Sequence, residues 1–99
     1  MVPNQKMIQQ LQAKMMKIQE DLGNETVEAT VGGVVTIVMT GHHEVRSVKI
    51  DPQAVDPDDV ELLEDTLVAA FNQALEKAAA LAQERMSALT GGMKIPGLT

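Results

Sequence analysis

Apolar positions along the chain follow three successive patterns of spacing. From Met7 they step by four, four, three and four through Leu11, Met15, Ile18 and Leu22, which is one face of a helix, and Gly23-Asn24 supplies a stop. This predicts a helix over residues 4–22. The spacing then changes to alternation. Strands are predicted over 26–31 and 34–40, flanking Gly32-Gly33, a pair able to take the positive φ that a tight hairpin turn demands. Thr40-Gly41-His42-His43 reads as the next turn and 44–50 as a third strand. Val35, Ile37 and Met39 share one face of the second strand, with Val34 and Val38 on the other. With Val27 added to the second group, the sheet is expected to be apolar on both faces. A sheet covered by helices on one side normally keeps the other polar, so the Val27, Val34 and Val38 side is expected to meet a partner.

Beyond Asp51-Pro52 and a brief Gln53-Ala54-Val55 turn, the helical period returns for the longest stretch of the chain, predicted as a helix over 57–90. Asp56 is the expected N-cap, Pro57 suits the first helical position, and no proline or glycine follows until Gly91. Val60, Leu63, Leu67, Phe71, Ala74, Ala78, Leu81 and Ala82 form the apolar stripe, widened by Val68, Leu75 and Leu89. Such a helix would run about 50 Å at 1.5 Å per residue. A compact domain of this length is only about 35 Å across. Part of the helix is therefore expected to project or to pack on a second subunit. The later turns rely on Ala78, Ala79, Ala80 and Ala82, which favour helix but bury little area, so the second half is expected to be the less anchored one. The order α-β-β-β-α defines an α+β fold with a three-stranded antiparallel sheet. One domain is expected over residues 1–90, followed by a flexible tail at 91–99 rich in glycine and proline.

Composition narrows the picture without redrawing it. The 99 residues contain no cysteine, hence no disulfide framework and no thiolate metal site. The N-terminus lacks the apolar core of a signal peptide and no run is long enough to span a bilayer, so a soluble, cytoplasmic protein is expected. One Phe is the sole aromatic residue, leaving Leu, Val, Ala and seven Met to fill the interior. The formal net charge of −6 argues against a uniformly basic nucleic-acid binder, but the charge is unevenly placed. Residues 1–19 carry Lys6, Lys14 and Lys17 and no acid, whereas residues 51–76 carry eight acids and no base. The three lysines fall within about 80° of one another on a helical wheel, which fits either an ordinary solvated face or a ligand contact.

The search for chemistry is mostly negative. His42 and His43 are adjacent and lack cysteine partners or helical i, i+4 spacing, so no zinc site is expected. Asp56-Pro57-Asp58-Asp59 resembles a calcium loop superficially, but Glu61 stands where such a loop needs glycine, and helix capping accounts for the acids. Ser47 and Ser87 have no neighbouring base or oxyanion loop, and Gly32-Gly33 lacks the further glycines and lysine of a phosphate loop. Glu61 and Asp65 sit on an expected solvated face. No catalysis, cofactor or small-molecule substrate is expected.

The run Glu44-Val45-Arg46-Ser47-Val48-Lys49-Ile50-Asp51-Pro52, then Val55-Asp56-Pro57-Asp58-Asp59-Val60-Glu61-Leu62-Leu63-Glu64-Asp65 and Leu67-Val68-Ala69-Ala70-Phe71-Asn72-Gln73-Ala74, resembles the YbaB/EbfC family of bacterial nucleoid-associated proteins. The Met- and Gln-rich first helix and the Leu89-Thr90-Gly91-Gly92-Met93 exit match its pattern too. The resemblance implies a homodimer whose long helices project like the arms of tweezers, DNA binding, and a cytoplasmic location on the bacterial nucleoid. Lys6, Lys14, Lys17, Lys77, Arg85 and Lys94 are then the expected contacts to duplex DNA, through phosphates and with low sequence specificity. Without aromatic stacking platforms, duplex is expected over single strands. Arg85 reads equally as a cation favoured near a helix C-terminus with its stem packed on a neighbour. Val60, Leu63, Leu67, Phe71, Val34 and Val38 are the expected dimer contacts. The competing reading is a non-catalytic protein-interaction module for which DNA is incidental.

Overall fold

The computed structural model describes residues 5–89, so Lys94 and the segment 90–99 lie outside the described residues. The observed order is α1 (Gln5–Asn24), β1 (Thr26–Val31), β2 (Val35–Thr40), β3 (Val45–Ile50), a single 3-10 turn at Pro52–Ala54, and α2 (Val60–Leu89). The expected α-β-β-β-α architecture is present, with an antiparallel sheet in the order β1-β2-β3.

Two boundaries move for identifiable reasons. α1 runs through Gly23 to Asn24 because its last turn is closed from outside: Glu25 N–H donates to Asp21 O at 2.9 Å and Gly41 N–H to Leu22 O at 2.9 Å. Gly41 is there by necessity, since a Cβ at that position would lie 2.8 Å from Leu22 O and from Leu22 Cδ2. α2 begins three residues later than expected. Asp56 spends its side chain on its own turn, accepting from Asp58 N–H at 2.9 Å, and its carbonyl accepts from Asp59 N–H. Asp59 caps the helix instead, its carboxylate accepting from Leu62 N–H at 3.3 Å. The Asp56 cap is thus corrected to Asp59.

The hairpin forms where expected, but its connection has three residues, 32–34, and not the two of Gly32-Gly33, so that β2 starts at Val35 and Val31 pairs with Val35. Gly32 and Gly33 take φ of 63° and 70°, the left-handed region glycine enters freely, and Val34 N–H donates back to Val31 O at 3.2 Å. The sheet faces are a correction. Val27 pairs with Met39 and Val31 with Val35, on the side that α2 covers, and Val34 also packs against the core. The other face presents Glu28, Thr30, Thr36, Ser47 and Lys49 around the half-buried Val38, with Thr30 and Thr36 joined through their hydroxyls at 3.0 Å. It is the polar outer face an antiparallel sheet ordinarily keeps.

The core consists of Ala29, Val35, Ile37 and Met39 from the sheet and Ala70, Ala74 and Ala78 from α2. Alanine bears no side chain beyond Cβ, so this helix can lie close against β1 and β2. Of the alanines expected to leave the second half less anchored, Ala78 is fully buried and continues the seam of Ala70 and Ala74, whereas Ala79 and Ala80 are exposed; Val60 and Leu62 near the start of the helix are exposed too. A further apolar surface appears on β3. Val45 and Val48 point to the same side as Met39 and Ile37 but are 46% and 43% exposed, because α2 packs mainly over β1 and β2.

The molecule is long, 67 × 25 × 15 Å with a radius of gyration of 18.7 Å, against roughly 13 Å for a compact domain of this length. α1 contributes much of that length. Glu25, just after α1, holds Arg85, whereas Lys14 and Lys17 lie near Ala88 and Leu89, so α1 and α2 run antiparallel. Residues 5–17 are exposed throughout. At 1.5 Å per residue the stretch from Gln5 to Lys14 extends about 14 Å beyond the described end of α2.

Candidate nucleic-acid interface

The expected DNA-contacting residues separate into two groups. Lys6, Lys14 and Lys17 stand exposed on α1, in a segment with no acidic residue before Glu20. From Lys6 to Lys17 the helix rises about 16 Å. One strand of B-form DNA presents a phosphate about every 3.4 Å of axis, so this face spans roughly five phosphates. Lys17 approaches Asp21 at 3.5 Å, an exposed i, i+4 contact of little strength.

The two α2 cations are directed inward to the body. Lys77 Nζ donates to Glu28 O on the edge strand β1 at 2.8 Å. Arg85 grips the Glu25 carboxylate with both Nε, at 3.0 Å, and Nη2. These hydrogen bonds, opposed by partial desolvation and aided by the guanidinium charge, hold the Glu25 carboxyl below its ordinary range. The same carboxylate, first by hydrogen bond and then by charge, raises Arg85 above its ordinary value. Of the two readings open for Arg85, the packed one describes its position: it ties the late turns of α2 to the α1–β1 junction. Arg46 does similar work from β3, its Nη2 donating to Gly23 O at 3.1 Å. A bulge between Val38 and Met39 shifts the β2–β3 pairing just there. Nothing in the local pattern of apolar residues marks either contact, since both join segments distant in sequence.

Between the helices lies an open cleft of about 490 Å³, walled by Ala13, Ile18, Ala88 and Leu89 and rimmed by Lys14, Lys17 and Arg85. His42 and His43 sit exposed on the β2–β3 turn, His43 with φ of 66°. The buried Thr40 hydroxyl holds that turn by accepting from His42 N–H and Glu44 N–H. Among the described residues no three His, Cys, Asp or Glu side chains gather as a metal site, and no helix is long and apolar enough to cross a membrane.

Leu63, Leu67, Phe71 and Val34, expected at a dimer interface, are partly buried against the chain's own core, and Val60 is exposed at the start of α2. Val38 lies alone on the polar face. Two residues without a place in that expectation, Val68 and Leu75, are exposed on the flank of α2 roughly opposite Lys77 on the helical wheel. Because Lys77 reaches over β1, that flank is turned away from β1, toward the β3 side of the sheet.

The chain is an elongated α+β molecule whose exposed, lysine-bearing first helix extends beyond its sheet. The chain belongs to the YbaB/EbfC DNA-binding family, whose profile matches residues 2–93. It is 52% identical over 93 residues to a nucleoid-associated protein of Roseiflexus castenholzii, covering 94% of this chain and 93% of the relative. It is 54% identical over 89 residues to one from Chloroflexus aurantiacus, covering 89% of each. A crystal structure of the uncharacterized protein HP0035 from Helicobacter pylori shares the fold, with a TM-score of 0.67 at 17% identity over 87% of this chain and 88% of that one.

Proposed function

We propose that the protein binds duplex DNA as a homodimer and acts in the nucleoid, with the α1 lysines as its principal contacts to phosphate. The observation that carries this reading is the separation of charge along the molecule. Lys6, Lys14 and Lys17 project at one end of a 67 Å body, and the acids that open α2 stand at the other. The Debye length at physiological ionic strength is about 8 Å, so the distant acids do not cancel the lysines at a phosphate in contact with α1. Two of the nearer acids are matched locally, Glu25 by Arg85 and Asp21 by Lys17. Family membership supports DNA as the partner, and the relatives' name supports the nucleoid.

Contacts to phosphate by flexible lysines carry no base information, which favours low sequence specificity. In the homodimer, the apolar trough formed by Val45 and Val48 of β3 with Val68 and Leu75 of α2 faces its equivalent, with Val60, Leu63, Leu67 and Phe71 contributing from the adjoining turns. Doubling the chain doubles the basic arm. A mobility shift on random-sequence duplex tests the DNA reading: three phosphate contacts per subunit give log affinity falling against log salt with a slope near −5 for the dimer. Affinity independent of salt, or absent even at low salt, would sink it. Light scattering of Val48→Asp tests the dimer, because a charge in the trough leaves the monomer exposed to water but not the paired face. The expected mass is that of one chain.

A further inference from the structure

The two ends of the long axis differ in charge, and each leaves apolar side chains in water. On the arm, Leu11 and Met15 are 49% and 40% exposed, beside Lys14 and Lys17. At the far end, α2 opens with Glu61, Glu64 and Asp65 around Leu62, which is 62% exposed, and Val60, which is 53% exposed. Phosphate can satisfy the lysines of the arm but offers nothing to its apolar stripe.

We propose that the arm of one chain docks on the first turns of α2 in a second copy, head to tail, so that the protein assembles beyond its basic oligomer. The occupant follows from charge complementarity. A lysine segment without an acid meets a segment, residues 51–76, with eight acids and no base. Arm against arm would set like charges together. Leu62, the most exposed apolar side chain of those turns, supplies the counterpart to Leu11 and Met15, while Val60 faces the other side of the helix. The two surfaces are different patches on one chain, so the contact is heterologous: each chain added presents a fresh arm and a fresh acidic end, and the series stays open. Both partners are exposed helical faces bearing charged side chains, which makes the contact weak and sensitive to salt. DNA and the acidic end of a neighbour then compete for the same lysines, so the assembly forms off DNA.

The test uses the full chain without DNA, so its failure leaves the DNA-binding reading standing, and failure of the mobility shift leaves this proposal standing. Sedimentation velocity over a roughly fortyfold range of concentration, at about 20 mM and about 300 mM salt, is expected to show species growing with concentration at low salt only. Lys6→Glu/Lys14→Glu/Lys17→Glu makes both ends acidic, and Glu61→Lys/Glu64→Lys/Asp65→Lys makes both ends basic. Each variant alone is expected to stay at the basic oligomer, and an equimolar mixture of the two to assemble again. A wild-type size independent of concentration at low salt overturns the proposal, as does a mixture that fails to assemble. Assembly that survives the α2 reversal points to arm-to-arm contact and overturns it too. A second measurement needs no variant: zero-length carbodiimide coupling of mixed light and 15N-labelled wild-type protein. It is expected to join Lys14 or Lys17 to Glu61, Glu64 or Asp65 between chains, and coupling within chains only contradicts the docking.

Discussion

Lys14 and Lys77 carry the same charge on exposed helical positions, yet they belong to different parts of the molecule in every other respect. Lys77 stands on a helix pressed against the sheet by Ala74 and Ala78, close enough for its ammonium to reach Glu28 O at 2.8 Å. Lys14 stands on a helix whose first turns have no sheet beneath them, and its neighbours are solvent, Lys17 and the walls of an open cleft. The fate of a surface cation is set by what its backbone is packed on. A helix anchored by alanine lies low and spends its cations on nearby carbonyls and carboxylates; a projecting helix keeps them available.

That contrast breaks first at the DNA. Lys6→Glu/Lys14→Glu/Lys17→Glu is expected to weaken duplex binding by roughly 100-fold or more at low salt and to flatten the salt slope by about 3 per subunit. Lys77→Met is expected to change affinity less than about threefold, since it removes a charge already turned to β1. Equal losses from the two variants, in the same mobility shift, would show that α2 meets DNA as α1 does. The next largest effect lies in the anchoring. Ala74→Leu forces a branched side chain into the fully buried seam with β1 and β2 and is expected to cost about 1–3 kcal/mol by urea denaturation. Ala80→Leu, on the exposed side of the same helix, is expected to be near neutral.

Smaller again is the cap. Asp59→Ala is expected to lose about 1 kcal/mol, because it leaves Leu62 N–H without its acceptor at the start of α2. Asp56→Ala disturbs only the preceding turn and is expected to lose less. If chemical denaturation ranks them the other way, the helix effectively starts at Pro57 and its first turn is packed differently from the one described.

The elements themselves were legible from period alone. Alternation in Val35, Ile37 and Met39 has one structural solution that buries an apolar row, and the four-three spacing of Met7 to Leu22 has one secondary structure, a helix, although only its last apolar residue, Leu22, is buried. What escaped was everything decided by distance between elements. Periodicity assigned alanine a small burial and so a weak anchor, but it cannot express that a row of small side chains lowers the whole helix onto the sheet. Val27 was placed with the wrong face because a single strand's alternation has an arbitrary sign until Val27 is paired with Met39. The candidate site divided similarly. Clustering of Lys6, Lys14 and Lys17 could be seen on one helical wheel, whereas the engagement of Arg85 by Glu25 joins residues sixty positions apart and has no local signature. The cap expected at Asp56 depends on where the first turn of α2 falls, which residue type alone does not fix. Only the turn closed by Asp56 leaves Asp59 to take that place.

The gentlest test addresses the link between arm and body. Glu25 is the carboxylate that Arg85 holds, and that grip lowers its pKa in the folded state from an ordinary value of 4.5. A carboxyl depressed on folding binds fewer protons folded than unfolded, so its contribution to stability is present in full above the unfolded pKa. It is lost as pH falls below about 4.5 and through the folded value. The raised pKa of Arg85 has the opposite sign and contributes at every pH below its ordinary, strongly basic value, so across the acid range it stays constant. Thermal denaturation of wild type is therefore expected to show a shallow decline below pH 4.5, part of which Glu25→Gln removes, since the amide cannot titrate. The pair is partly exposed, so the step should be small and should shrink as salt is added. The arm offers the control: Lys14→Gln leaves the same decline intact, because Lys14 is no part of the Arg85–Glu25 grip. A Glu25→Gln profile parallel to wild type throughout the acid range would mean that the late turns of α2 are held by Ala78 and its packing alone.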